Sequence, residues 1–251
     1  MIKLGLRRLR AFVLLSAFLF MSMAALNLAR ADIVVPAGGS IALGDSSNDL
    51  GFGDVTVAGT LLLQNGSLNG VRNLTIAPGG SLVAGSGVIT LSGNWNNAGS
   101  FSAGSGAIQF VDTPACSAGS TISGSTTFAT LSLISSCGKL YRFAAGSNQT
   151  IGTLFIVNGT AALPLRIEST NAAQTAFINL IGQQSVNNLA VTDLRATGVA
   201  IGGFDLTQAS YVVPATSGIT LGAICFALFL FGIGALRRAA PRPAFPLKRK
   251  D

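Results

Sequence analysis

The chain is interrupted too often to be helical through its middle. From residue 32 to residue 210, glycine, asparagine, serine and proline repeatedly break the apolar sequence, leaving short runs in which apolar and polar side chains alternate. Such runs are Asp54–Leu63, Asn73–Val83, Val88–Leu91, Ala107–Phe110, Phe128–Ile134, Ile151–Val157, Leu165–Glu168, Phe177–Ile181 and Leu189–Asp193. Successive side chains of a strand point to opposite faces, so period-two alternation bounded by turn residues is a strand signature. No stretch of the body keeps a helical period, and the body is read as all-β.

The runs start about 12 to 24 residues apart, and Val55 and Leu74 open similar units of strand, Gly-containing turn and second strand. Loose repeats of this length predict the coils of a right-handed parallel β-helix, a solenoid in which each rung packs on its neighbours. Small residues allow sharp corners, and asparagine can stack along them. A β-sandwich also tolerates regular short strands and is the alternative. The β-helix is preferred because clean two-residue Asn-Gly hairpin turns are scarce.

The formal net charge of +7 suggests a polyanion ligand until it is divided by region. Lys3, Arg7, Arg8, Arg10 and Arg30 precede residue 32, and six more cations follow residue 236. Residues 32–214 hold five cations against eight acids, a net −3, which leaves no basic footprint for nucleic acid. The chain has no histidine, which removes the commonest general base, the Ser-His-Asp and Cys-His constellations and all imidazole metal sites.

Both basic clusters flank apolar runs in the manner of membrane-topology signals. Residues 1–31 combine a cationic start, the apolar stretch Ala11–Leu26 and Ala29-Arg30-Ala31, so a secretory signal helix is expected with cleavage between Ala31 and Asp32. At the other end, Gly218–Leu236 is an uncharged stretch of 19 residues, near the roughly 20 needed to span a bilayer as a helix. Arg237 and Arg238 follow, placing the tail 237–251 in the cytoplasm and the body on the far side. The expected organisation is a signal peptide (1–31), a β-repeat extracytoplasmic body (32–210), a Pro-containing motif and linker (211–217), a transmembrane helix (218–236) and a basic tail.

Tyr211-Val-Val-Pro-Ala-Thr-Ser-Gly218, the apolar helix and Arg237-Arg238 resemble the three-part C-terminal sorting signals of the PEP-CTERM, IPTL-CTERM and VPDSG-CTERM group. The matching residues are Val213, Pro214, Ser217, Gly218, Arg237 and Arg238, while Ala215-Thr216 and the trailing Ala239–Asp251 depart from the pattern. The resemblance implies recognition by a membrane sorting protease and association with exopolysaccharide; a permanent anchor is the plain alternative. Leu91–Phe110, with Gly93-Asn-Trp-Asn-Asn97, resembles repeat units of large autotransporter-like surface proteins with β-helical stalks. That resemblance implies a pectin-lyase-like fold without implying lyase activity.

Cys116 and Cys137 are the only cysteines of the body and flank about one coil, so a disulfide between neighbouring rungs is expected. Trp95 is read either as a platform for a sugar ring or as a core residue. Asp45, Asp49 and Asp54 carry oxygen donors, but their spacing fits no calcium loop and they are read as loop acids. A glycoside hydrolase would need two carboxyls at a set separation from among Asp112, Glu168, Asp193 and Asp205, and the sequence gives no sign of that pairing. No catalytic residue, metal site or cofactor is assigned. The expected partners are the export machinery and signal peptidase, the membrane, a sorting protease and a polysaccharide or cell-surface ligand. The expected location is the periplasmic side of the inner membrane, the cell surface or the medium. A pectin-lyase-like enzyme and a single-pass protein with a sandwich ectodomain are the alternatives.

Overall fold

The structure is a computed structural model that describes residues 30–116 and 119–202, and the backbone of 211–213. All of its regular structure is strand, and the described residues include no helix. The strands are β1 (Ile33–Val35), β2 (Ser40–Ala42), β3 (Ser47–Val57), β4 (Thr60–Leu62), β5 (Ser67–Ile76), β6 (Ser81–Val83), β7 (Val88–Leu91), β8 (Trp95–Asn97), β9 (Ser100–Ser102) and β10 (Ala107–Phe110). They continue with β11 (Ser120–Ser123), β12 (Thr126–Ile134), β13 (Leu140–Phe143), β14 (Asn148–Asn158), β15 (Leu165–Ser169), β16 (Ala176–Leu180), β17 (Gln183–Asn187), β18 (Leu189–Thr192), β19 (Leu194–Gly198) and β20 (Tyr211–Val213).

These strands wind into a β-solenoid of about eight coils with three ladders. Face A stacks β1, the ends of β3 and β5, β8, β11, β13, β15 and β18. Face B stacks β2, β4, β6 and β9, then the starts of β12 and β14 followed by β16 and β19. Face C stacks the starts of β3 and β5, β7, β10, the ends of β12 and β14, and β17. Every pairing of named strands is parallel except the last, in which β20 runs antiparallel to β18. The parallel stacking replaces the antiparallel sandwich held as an alternative. At ~4.8 Å per rung, eight coils span ~35 Å.

The core is one column of side chains. Face A contributes Val55, Leu74, Trp95, Ile122 and Phe143 in register, and face C contributes Leu68, Ile89, Ile108, Leu131 and Phe155. All ten are at most 1% exposed. Burying each such side chain contributes about 1.5–3 kcal/mol, and the column is continuous because each coil supplies the next layer. Val55 and Leu74, the pair that opens similar sequence units, are direct register partners.

Corners explain the glycines. At the turn from face B to face C, Gly44, Gln64, Gly85 and Gly104 occupy successive coils, all with φ between 55° and 64°. A Cβ on Gly104 would lie 2.2 Å from the Gly85 carbonyl oxygen, so the stacked corner leaves no room for a side chain there. The turn from face C to face A is longer in the middle of the molecule, and residues 111–116 and 135–139 leave the coil there. Those two excursions carry the cysteines, at disulfide distance with a Cα–Cα separation of 5.8 Å. The pair joins corners one coil apart, as the sequence reading expected.

Candidate functional site

The chemistry-bearing side chains collect where face C turns into face A. Asp32, Asp54, Asn73 and Asn94 each stand just before a face-A strand, and each side-chain oxygen accepts a backbone N–H from the next coil. Asp54 N donates to Asp32 (2.7 Å), Asn73 N to Asp54 (3.2 Å), Asn94 N to Asn73 (2.9 Å) and Thr121 N to Asn94 (2.8 Å). The sequence separations are 22, 19, 21 and 27, which follow the coil length. One short polar side chain per coil thus satisfies a corner N–H that would otherwise be lost to the ladder.

Asp54 is the hub of this row. It accepts from Arg72 Nε (2.9 Å) and Nη2 (2.5 Å) and from Asn73 Nδ2 (3.0 Å) and, while residues 1–31 remain attached, from Arg30 Nη2 (2.7 Å). The Arg72 guanidinium and then the Asn73 amide hold its carboxyl at a pKa of about 2 despite partial desolvation. The neighbouring Asp32 is also lowered, first by the Asp54 N–H and then by Arg30. A depressed folded pKa contributes stability above the unfolded value, and that contribution is lost as pH falls from about 4 toward 2. Asp54→Asn keeps the corner acceptor but removes the ion pair with Arg72. It is expected to cost about 1 kcal/mol at pH 6 and nearly nothing at pH 2, read as the difference in thermal midpoints between the two chains.

Beside this row, Thr56, Thr75, Asn96 and Ser123 point outward from face A in register. Together with the corner row they line a polar depression of about 450 Å³ across four coils. A second hollow of about 410 Å³ lies on the other side of Asn73 and Asn94, between Phe52, Arg72, Ser92-Gly93, the excursion residues Thr113, Pro114 and Ala115, and Gly119.

Lys139 reaches this corner from inside. It is 5% exposed, and its Nζ donates to the carbonyls of Ser92 (2.5 Å) and Val111 (3.1 Å) while standing 5.1 Å from the centre of the Tyr141 ring. Burial lowers its pKa to about 8, against the opposing pull of Asp112, and burial raises the Tyr141 hydroxyl above its ordinary value. Between about pH 8 and 10 the unfolded chain binds the extra proton at Lys139, so stability rises with pH. Above about pH 10 the unfolded tyrosine ionises and the folded one does not, so stability falls again. A gain of about 1–2 kcal/mol between pH 7.5 and 9.5 is expected for the natural chain and none for Lys139→Met, read from denaturant midpoints.

The other candidates fall as follows. Trp95 is not a sugar platform: its ring is fully buried, with Phe101 at 5.0 Å and Phe128 at 5.4 Å between centroids and Nε1 donating to Thr126 Oγ1 at 3.2 Å. It faces inward because its place in β8 continues the Val55-Leu74 column. Asp45, Asp49 and Asp54 do not converge. Asp45 accepts from Asn65 Nδ2 at 2.9 Å, Asp49 from Gly51 N at 3.0 Å, and among the described residues no group of three His, Cys, Asp or Glu is placed to hold a metal. Asp112 accepts from Ser136 N (2.8 Å) and Oγ (3.2 Å), and Glu168 from Arg142 Nε (2.7 Å). Asp193 adjoins Thr192, the register partner of Glu168.

Ala31 N donates to Leu50 O at 3.0 Å, and Asp32 begins the corner row. Val213 ends β20, opposite Leu189. Ala29, Pro214, Ser217, Gly218, Arg237, Arg238, Asp205 and the apolar segment 218–236 lie outside the described residues; among the described ones no helix is long and apolar enough to cross a membrane. Asn73, Asn94, Thr121, Arg72 and Lys139 were not singled out from the sequence. The available signal was an Asp, Asn or Thr immediately before the first inward residue of successive face-A strands: Asp32-Ile33, Asp54-Val55, Asn73-Leu74, Asn94-Trp95 and Thr121-Ile122.

No protein-family model matches the chain, no curated protein matches its sequence, and no solved structure matches its fold.

Proposed function

We propose that the chain is a non-catalytic exported surface or matrix protein, anchored or sorted through its C-terminus, whose solenoid body serves structural, adhesive or polysaccharide-associated work. The observation that carries this reading is what the acids of the body do. Asp32, Asp45, Asp54, Asp112 and Glu168 each accept from a group on a neighbouring coil or corner, so the carboxylates act as ties along the stack. Glycoside hydrolysis would call for two carboxyls facing a common space, and Asp54, already held by Arg72 and Asn73, is the one acid lining the two hollows described above.

Three further points agree with export. The apolar run, the small residues before Asp32 and the cations at both ends address the body outward. Cysteines held at disulfide distance suit an oxidising compartment. A stack of parallel rungs provides length and flank in proportion to the number of coils, which suits a projecting scaffold. The coil is taken as right-handed, the hand that parallel β-crossovers adopt in nearly all cases.

The test compares the full chain with a version ending at residue 217 in a Gram-negative host. The full chain should fractionate with membranes, its body digested by protease added to spheroplasts, and the shortened chain should appear in the periplasm or medium. A body protected in the cytoplasm in both cases would overturn the reading.

A further inference from the structure

We propose that the hollow at the corner between faces C and A is a binding site for a neutral saccharide, with its outer wall held in place by the Cys116–Cys137 bridge. The inference deepens the polysaccharide-associated reading above and rests on it for its ligand class alone.

Phe52 is the first observation. It lies in an irregular stretch of β3, within the register shift between Asp49 and Gly53, and its φ is +66°. A bulky side chain rarely takes that conformation, and such strain persists where the surroundings impose it and a role retains it. Its ring is only half-buried and faces the hollow instead of joining the core column. Pro114 and Ala115 of the opposite wall add apolar surface.

The second observation is the mixed lining. The apolar surface of Phe52 and Pro114 meets the exposed amide of Asn94, whose Oδ1 holds the corner row while its Nδ2 is left for a ligand; Asn73, bonded to Asp54 and Asn94, only shapes the ridge that also borders the polar depression of face A. A pyranose has the matching asymmetry, with a C–H face that packs on rings and a hydroxyl edge that bonds amides. The hollow's volume of about 410 Å³ falls in the usual range for small-ligand sites, and the adjoining 450 Å³ depression lets further units continue across the coils. Arg72 does not make the site anionic in preference, because its guanidinium is already committed to Asp54 through two hydrogen bonds.

The third observation is that the wall is fixed independently of any ligand. The excursion 111–116 is tied outward by the cysteine pair and by the Ser136 N–H donating to Asp112, and Lys139 holds the carbonyls of Ser92 and of Val111, at the root of the wall, from beneath. Such preorganisation lowers the ordering cost of binding.

The test titrates the full chain in detergent micelles, by calorimetry, with neutral hexasaccharides (cellohexaose, maltohexaose and chitohexaose) and with anionic hexagalacturonate. At least one neutral hexasaccharide should bind with Kd below 1 mM, more tightly than hexagalacturonate. Phe52→Gly should weaken it at least tenfold while the thermal midpoint holds or rises, since glycine removes the ring and accepts the positive φ. A merely structural phenylalanine would instead lower the midpoint. Cys116→Ser/Cys137→Ser, and the natural chain under reductant, should weaken binding at least fivefold.

Binding of no neutral hexasaccharide at 1 mM, preference for hexagalacturonate, natural affinity in Phe52→Gly, or natural affinity without the bridge would each overturn the proposal. Its failure is separable from that of the surface reading. A chain exposed outside the cytoplasm that binds no neutral sugar overturns the site alone, and a sugar-binding chain confined to the cytoplasm overturns the location alone.

Discussion

Trp95→Ala is expected to destabilise the body by about 3–5 kcal/mol, the usual cost of emptying a large buried aromatic site. Trp95 is fully buried, packs edge-on against Phe101 at 81° and touches Phe128, and its Nε1 bonds Thr126 Oγ1. Substitution removes a coil-four anchor for both the face-A column and the aromatic group bridging to face B. In a solenoid each coil is coupled only to its neighbours, so a void in the middle weakens the link between coils one to three and coils five to eight. Unfolding in urea followed by circular dichroism should therefore shift to lower midpoint and broaden into two steps. Trp95→Phe, which keeps a ring in the column, should cost markedly less and stay in one step. A single transition at the natural midpoint for Trp95→Ala would contradict the stacking described for β8.

Removing the cysteine pair ranks second. Cys116→Ser/Cys137→Ser is expected to cost about 3 kcal/mol under oxidising conditions, since the bridge closes a loop with a sequence separation of 21 in the unfolded chain. Under reductant the natural chain should fall to the level of the variant, and the two midpoints should coincide. Equal midpoints without reductant would mean that the pair adds no constraint. Hydrogen exchange should locate the loss at residues 111–116 and 135–139, the corners it joins, before it reaches the ladders.

Much of this architecture was legible in the residues, and the part that was not has a physical reason. The runs at Val88–Leu91, Ala107–Phe110, Leu165–Glu168 and Leu189–Asp193 coincide with strands because each supplies at least two inward side chains in alternation. The run Asp54–Leu63 is two strands, the end of β3 and then β4, bent at Ala58-Gly59, and Asn73–Val83 divides likewise at Ala77-Pro78-Gly79-Gly80. Apolar residues on both sides of those corners face the same core, so the pattern runs on across the bend. Strands such as Ser40–Ala42 and Ser100–Ser102 escaped notice because three residues with one large apolar side chain carry no period.

Sites were harder to read than strands. The approach of Cys116 and Cys137 to disulfide distance was legible because it depends on two residues whose spacing is comparable to one coil. Trp95 beside three asparagines leaves a sugar platform and a core residue both open in the sequence; register with Leu74 decides for the core and leaves Asn94 to serve the corner row. The Asp54–Arg72 pair was invisible because its partners, 18 residues apart, become neighbours only when the coil closes. Lys139 gives no sequence signal at all: its burial follows from the corner excursion and the two carbonyls that await it.

Where this body resides is tested most directly by the mass of the mature chain. Protein recovered separately from cytoplasm, envelope and medium would be measured intact, with and without alkylation of thiols. The expected species is a chain outside the cytoplasm that begins at Asp32 and holds Cys116 and Cys137 oxidised; its C-terminus would end near Pro214 if sorted and extend to Asp251 if anchored. A chain that begins at Met1, remains in the cytoplasmic fraction and carries both thiols free would contradict export.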